Sequence, residues 1–307
     1  MSGTLPANEP TAIPDESPTI ELEIEARPRD VAGFPVRRVL PSFRRRRIGP
    51  FTFFDHIGPA ELDPGEGFDV PPHPHIGLAT VTYLFTGEVD HRDSLGTCQP
   101  IVPGDVNWMI AGRGIAHSER SNASERGAGA HVHGIQSWVA IPIDHEDDEP
   151  RFEHHPKSTL PRIVKDGVTL DVIAGTAYGE RSPVGVLSPT LYVHALFEAG
   201  ARLDVDDEHE ERALYVVEGS IREGGRAFGP GMLLVLRPGA KVAIEAAEPS
   251  RVMLLGGAKL EGDRFIWWNF VSSSKDRIER AKADWKEGRF AKIPGDEIEF
   301  VPLPERG

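Results

Sequence analysis

TYLFTGEVDHRDSLGTCQPIVPGDVNWM (82–109) and ALYVVEGSIREGGRAFGPGMLLVLRPG (213–239) carry one pattern twice. Each opens with an apolar run holding an aromatic residue, stops at a glycine, passes through a hairpin and a Pro-Gly turn, and resumes as a second apolar run. A repeat of this length predicts two copies of one β-barrel module. Around the copies, GIQSWVAIP (134–142), TLDVIAG (169–175), TLYVHALF (190–197) and RVMLLGG (251–257) are further short runs rich in β-branched and aromatic residues, separated by turn formers. Their spacing is that of an all-β sandwich or barrel.

One helical stretch stands apart, SSSKDRIERAKADWKEG (272–288), with serines to cap its start and Gly288 to stop it. Between the copies, IDHEDDEPRFEHHPKSTLP (143–161) is charged and punctuated by proline, and it reads as a linker. Residues 1 to 18, with Pro6, Pro10, Pro14 and Pro18 among polar residues, have too little apolar area to offset the entropy of ordering them. The expected organisation is a flexible tail (1–18), an N-terminal barrel (19–145), a linker (146–165), a C-terminal barrel (166–270), and a short C-terminal helix and tail (271–307).

The chain has 307 residues, with Lys plus Arg 34 against Asp plus Glu 48, a formal charge of −14. A field of that sign repels phosphates and argues against direct nucleic-acid binding. No run reaches the roughly 20 apolar residues of a membrane span, and no basic n-region precedes an apolar stretch, so a cytoplasmic protein is expected. The single cysteine, Cys98, cannot close an intramolecular disulfide or build a thiolate zinc site, so any metal must be held by histidine and carboxylate.

Two motifs concentrate such side chains, PPHPHIG at 71–77 and GIAHSER at 114–120. In a strand, residues i and i+2 point to the same face, so His73 with His75, and His117 with Glu119, are two-toothed pairs. Two pairs facing each other offer three imidazoles and a carboxylate, a set suited to Fe(II), Mn, Ni, Cu or Zn. A six-coordinate ion there would keep two positions open for substrate or dioxygen. On spacing alone, His131 and His133 in HVHGIQSW compete for the same role.

Other residues admit two readings. His91 and Asp93 either orient a loop through bonds to the backbone or line the mouth of the site. Asp55 and His56 either support the pocket rim or cap a turn before Gly58-Pro59. Arg44 to Arg47 read as a solvated strand or loop rather than a nucleic-acid contact. Phe53, Phe54, Val81, Tyr83, Trp108 and Ile110 alternate along strands and are expected to face inside the barrel, most of them as core.

Set against the cupin pattern G-x5-H-x-H-x3,4-E-x6-G, Gly67, His73, His75 and Gly87 fall into place, while Ala79 or Thr80 stands at the glutamate position. In the second half of the pattern His117 follows Gly114, with Gly112 where a proline is usual. VRRVLPSFRRRRIGPFTFFDHIGPA, HPHIGLATVTYLFTGEVDHRDSLG, PGDVNWMIAGRGIAHSER and HGIQSW, with WWNFVSSSKDRIERAKADWKEGRF near the end, closely resemble the pirin family over nearly everything after residue 30.

That resemblance implies a bicupin, two jelly-roll (double-stranded β-helix) barrels of which only the N-terminal one binds iron or another divalent ion. In the family the carboxylate ligand comes two residues after the third histidine, which makes His73, His75, His117 and Glu119 the implied metal ligands. One ion per chain is expected, Fe(II) first, with Mn, Ni, Cu, Zn or Co able to take its place. The second copy lacks such a set. His209, alone among the acids of DVDDEHEE (204–211), reads as a surface residue, and the second barrel is given a structural role.

Two activities are implied. As a dioxygenase of the quercetin 2,3-dioxygenase type, the protein would take a small planar polyphenol and dioxygen. Glu119 would then ligate the metal and act as the catalytic residue that accepts the hydroxyl proton, and ring cleavage would release carbon monoxide. As a regulator, the redox state of its iron would bias two conformations read by a transcriptional or metabolic partner protein, without turnover. A metal-loaded cupin acting on another small substrate is the third reading.

Overall fold

The computed structural model describes residues 17–31 and 33–305, and the tail expected over 1–18 falls almost wholly outside them. The described residues form five antiparallel sheets, four of them in the two barrels and the fifth a two-stranded pair of Phe265–Trp267 and Phe270–Ser272. The first has four strands, in the order Asp69–His75, Ile115–Arg120, Val89–Asp93 and Cys98–Ile101. The second has seven and centres on Leu78–Thr86 and His131–Ala140. An apolar cluster including Val36, Ile57, Leu84, Val89, Ile101 and Val132 joins these two sheets into the first barrel.

The third and fourth sheets repeat the arrangement. In the eight-stranded third sheet, Glu211–Glu218 lies between Met232–Leu236 and Ser250–Gly257. Leu78–Thr86 lies in the same way between Val106–Ile110 and His131–Ala140. The internal repeat therefore corresponds to equivalent strands. Val172, Val193, Leu214 and Leu254 pack against Ile221, Phe228 and Ile244 of the fourth sheet, and this apolar cluster closes the second barrel.

Between the barrels, the backs of the seven- and eight-stranded sheets share one core. Phe51, Phe54, Val81, Tyr83, Trp108, Ile110 and Ile135 come from the first barrel, and Ile24, Tyr192, Tyr215, Leu233, Val235, Met253 and Leu255 meet them from the second. This corrects the expected direction of five residues. Phe54, Val81, Tyr83, Trp108 and Ile110 face the other barrel, because both faces of these strands are covered and alternation alone does not say which cover is which. Only Phe53 lies apart, in a cluster with Leu78, Trp138 and Val271.

The ends of the chain cross between barrels, which the expected divisions did not anticipate. Ile20–Glu25, placed by sequence in the N-terminal barrel, pairs with Met232–Leu236 of the second. The expected linker supplies an edge strand to each side: Arg151–His155 pairs with Val106–Ile110, and Arg162–Lys165 with Val168–Ala177. Its charged composition reflects the exposed face of an edge strand rather than an absence of structure.

The late helix runs over Lys275–Lys286, with the Ser274 hydroxyl accepting from the Arg277 N–H, and Gly288 follows at φ +69°. It returns to the first barrel. The Arg277 guanidinium donates to the carbonyls of Gly112 (3.1 Å) and Glu146 (2.6 Å), while the buried Glu146 carboxylate accepts from Ser272 Oγ and the Ser273 N–H. Among the described residues no helix is long and apolar enough to cross a membrane.

Trp108 is 1% exposed in the shared core. Trp108→Ala is expected to lower unfolding stability by about 3–5 kcal/mol in urea titrations, with both barrels still unfolding in one transition. Two separate transitions would show that the shared layer does not bind the barrels together.

Candidate metal centre

The candidate site lies on the four-stranded sheet of the first barrel. Ile115–Arg120 runs between Asp69–His75 and Val89–Asp93, with His117 directly across from His73 on one side and from Asp93 on the other. A register shift lies between His117 and Glu119, and Glu119 stands across from His91. Antiparallel register thus collects side chains separated by more than forty residues in sequence.

His73, His75 and His117 converge, each offering a ring nitrogen within 4.8 Å of the others. All three are buried. Their Nδ1 atoms turn away from the centre: that of His73 donates to the Pro71 carbonyl (2.9 Å) and that of His75 to the Asn269 carbonyl (3.0 Å). Donation through Nδ1 leaves the Nε2 lone pair for the centre. Nε2 of His117 is fully buried with no hydrogen-bond partner among the described residues, and so is Oε2 of Glu119. Unpartnered buried atoms of this kind cost free energy unless something fills the space between them, and a cation is what a lone pair and a carboxylate oxygen suit.

Glu119 stands beside this group rather than within it. Its Oε1 lies 3.6 Å from His117 Nδ1, too long for a hydrogen bond. Burial pushes its carboxyl up to about 8. The histidines move the other way. Burial, only partly offset by the bond to Pro71, lowers His73 to about 4, and burial together with the neighbouring rings holds His75 and His117 well below the ordinary imidazole value. Burial thus favours the neutral form of all four groups, and three imidazoles beside a carboxyl are a donor set that suits a divalent ion.

The remaining sequence candidates divide between the two faces of the strands. Asp93 does organise a loop, its Oδ1 accepting from the N–H groups of Leu95 (2.9 Å) and Thr97 (3.1 Å), yet its Oδ2 takes a bond from His91 at the centre. The loop-orienting reading holds for Asp93, and both residues are buried. Asp55 forms a two-pronged ion pair with Arg38, whose guanidinium lies 4.3 Å over the Phe53 ring. His56 points the opposite way, into the layer between barrels, where it meets Tyr215 Oη (2.9 Å) and His133 Nε2 (2.8 Å). Neither residue caps a turn.

His133 is therefore placed away from the histidine cluster, and His131 is exposed beside Glu61. Arg45 pairs with Glu21, and Arg47 donates to the carbonyls of Leu260 and Gly262, so this basic run is a loop tied to its surroundings. His209 corrects its expected exposure. It is buried, bonded through Nε2 to the Thr176 carbonyl (2.9 Å), and among the described residues belongs to no group that could hold an ion.

Three supports of the centre carried no signal in the sequence. Asn269 acts on His75 through a backbone carbonyl from 194 residues away. Trp138 packs edge-on against His75 (5.2 Å) and stacks on Phe53 (4.0 Å). Ser118, whose side chain points outward between His117 and Glu119, donates to Asp296 (2.7 Å), and Arg120 grips the same carboxylate with two bonds of 2.8 Å. Gly77 admits this outer layer: at φ +67°, a Cβ there would stand 2.0 Å from the Val271 carbonyl oxygen.

Comparison with known proteins follows the same outline. The pirin family model matches residues 33–139, and the model of the pirin C-terminal cupin domain matches residues 192–291. A "Pirin-like protein" of Caulobacter vibrioides is 50% identical over 290 residues, 93% of this chain and all of that one. A Pseudomonas aeruginosa protein named "Putative quercetin 2,3-dioxygenase" is 40% identical, over 95% of this chain and 93% of its own length. The crystal structure of a quercetin 2,3-dioxygenase from Acinetobacter baumannii superposes with a TM-score of 0.84 at 34% identity, covering 93% of this chain and 96% of that one. The fold is a bicupin, and the chain belongs to the pirin family.

Proposed function

We propose that the protein is a metal-dependent dioxygenase that opens the ring of a flavonol such as quercetin, with one divalent ion, iron first, held by His73, His75, His117 and Glu119. The observation that carries this reading is the cluster of three histidine nitrogens beside an unpartnered Nε2 and an unpartnered carboxylate oxygen. Similarity over nearly the whole chain to proteins bearing the quercetin 2,3-dioxygenase name supports the substrate class. Glu119 would complete the set through its buried, unpartnered Oε2. Bound there, the ion supplies a Lewis-acidic centre with positions open to a substrate oxygen and to dioxygen.

The chain's own residues do the rest. Glu119, which gives up its proton as the ion enters, is then the buried carboxylate placed to accept the proton of the flavonol hydroxyl. Trp138, edge-on against His75, would set an apolar ring beside the ion. The barrel walls keep bulk water from the activated substrate. Both oxygens of dioxygen enter the products as the ring opens and carbon monoxide leaves.

Oxygen uptake and carbon monoxide release with quercetin test the reading, comparing protein stripped of metal with protein reloaded anaerobically with Fe(II). Metal-dependent carbon monoxide well above the stripped control is expected. A protein holding one ion per chain without turnover would turn attention to another substrate or to a redox-read partner protein. His73→Ala is expected to lose stoichiometric metal. Glu119→Gln is expected to keep much of the metal while turnover falls by about 10²–10⁴-fold. Calorimetry in buffers of different ionisation enthalpy gives the sign of the proton linkage. Because the Glu119 proton is held up to about pH 8 and the histidines are neutral, metal uptake near pH 7 releases about one proton per ion. The release fades above pH 8 and is absent in Glu119→Gln.

A further inference from the structure

The three imidazoles of the centre have different outer partners. His73 and His75 donate through Nδ1 to backbone carbonyls, which no side-chain substitution removes. The Nδ1 of His117 instead meets the Nδ1 of His91, at 3.4 Å. The alternative acceptor, Glu119 Oε1, lies at 3.6 Å, beyond hydrogen-bonding distance.

The polarity of this contact follows from its outer end. Asp93 is fully buried, its Oδ1 is occupied by two backbone N–H groups, and its Oδ2 lies 3.1 Å from His91 Nε2. A carboxylate only accepts, so His91 carries its proton on Nε2 and presents a lone pair at Nδ1. His117 must then donate from its own Nδ1, which leaves its buried, unpartnered Nε2 as a lone pair aimed into the cluster. The ring of His91 cannot swing away, because it lies flat against Phe152 at 4.6 Å with 19° between the planes. Asp93 thereby dictates, through one ring, which nitrogen of the next ring is free.

We propose that His91, oriented by Asp93 and Phe152, is the positioning residue that fixes His117 in the tautomer able to ligate the ion. This rests on the metal reading above and names the one outer contact of the three that evolution or an experimenter can retune with a side chain. The same hydrogen-bonded chain also raises the donor strength of His117 toward the ion.

The test uses metal-free, full-length protein labelled with ¹⁵N-histidine, and long-range ¹H–¹⁵N correlation, with His117→Gln to assign the signal. In the wild type His117 is expected as the Nδ1–H tautomer and His91 as the Nε2–H tautomer. His91→Phe, which keeps the stack on Phe152 but offers no acceptor, is expected to leave His117 in mixed tautomers and to weaken Co(II) binding by about 10–100-fold. His91→Asn, whose Oδ1 can accept from His117, recovers most of that affinity, as a merely space-filling role for residue 91 would not allow. Should His91→Phe fail to fold, Asp93→Asn tests the same polarity, since an amide no longer obliges His91 to protonate Nε2. An Nε2–H tautomer for wild-type His117, or unchanged tautomer and Co(II) affinity in the variants, overturns the proposal. A wild type that takes up no Co(II) refutes the metal reading instead, and the tautomer spectrum still decides the role of His91.

Discussion

The apolar layer between the seven- and eight-stranded sheets is the constraint on which the rest of the molecule depends. Tyr83, Trp108, Phe54 and Ile135 meet Tyr192, Tyr215, Leu233 and Met253 there. Burying the outer face of the first barrel supplies stability that does not rely on its inner face. Part of the inner face is thereby released from core duty, and Thr80, Thr82, Asn107, Asp55 and the histidine cluster can occupy it beside the apolar cluster of Leu84, Val89 and Val132. The second barrel, filled by valine, leucine and isoleucine, is the counterpart that makes this division possible.

The same layer carries a small polar network. His56, bonded to Tyr215 of the other barrel, to His133 and to Arg37 (3.2 Å), is fully buried, and burial holds it far below the ordinary imidazole value. A neutral ring with both nitrogens partnered costs little inside an apolar core, and it ties the two sheets in one relative register. Exchange of the chain ends does the same on a larger scale. The first strand joins the second barrel, while the segment from Leu260 to Val301 returns to the first.

That return organises the candidate centre from behind. Val301 donates to the Pro72 carbonyl, Asp296 binds Ser118 and Arg120, and the Asn269 carbonyl accepts a hydrogen bond from His75 Nδ1. The ligand strands are thus held on their outer face by the C-terminal segment and on their inner face by each other. Outer contacts of this kind set ring orientation and tautomer, which are as necessary to a metal site as the ligating atoms.

Much of this was legible in the chain itself. The internal repeat announces two like barrels because each module must bury its own apolar faces, and the HxH and HxE spacings announce a shared face because strand side chains alternate with period two. The late helix shows in its serine caps and Gly288. Those are local rules, acting over a few residues, and the sequence determined them alone. Which face of a doubly covered strand meets the other barrel, as for Trp108 and Tyr83, was decided by tertiary structure, since both faces are apolar and the pattern is silent between them. The same holds for His209, whose acidic neighbours hid a buried bond to Thr176, and for the linker, whose charges belong to edge strands. Asn269, acting through its backbone, and His91, acting through a diagonal contact across two strands, have no local signature, because hydrogen bonds between distant segments depend on where folding brings them and not on what lies beside them in the chain.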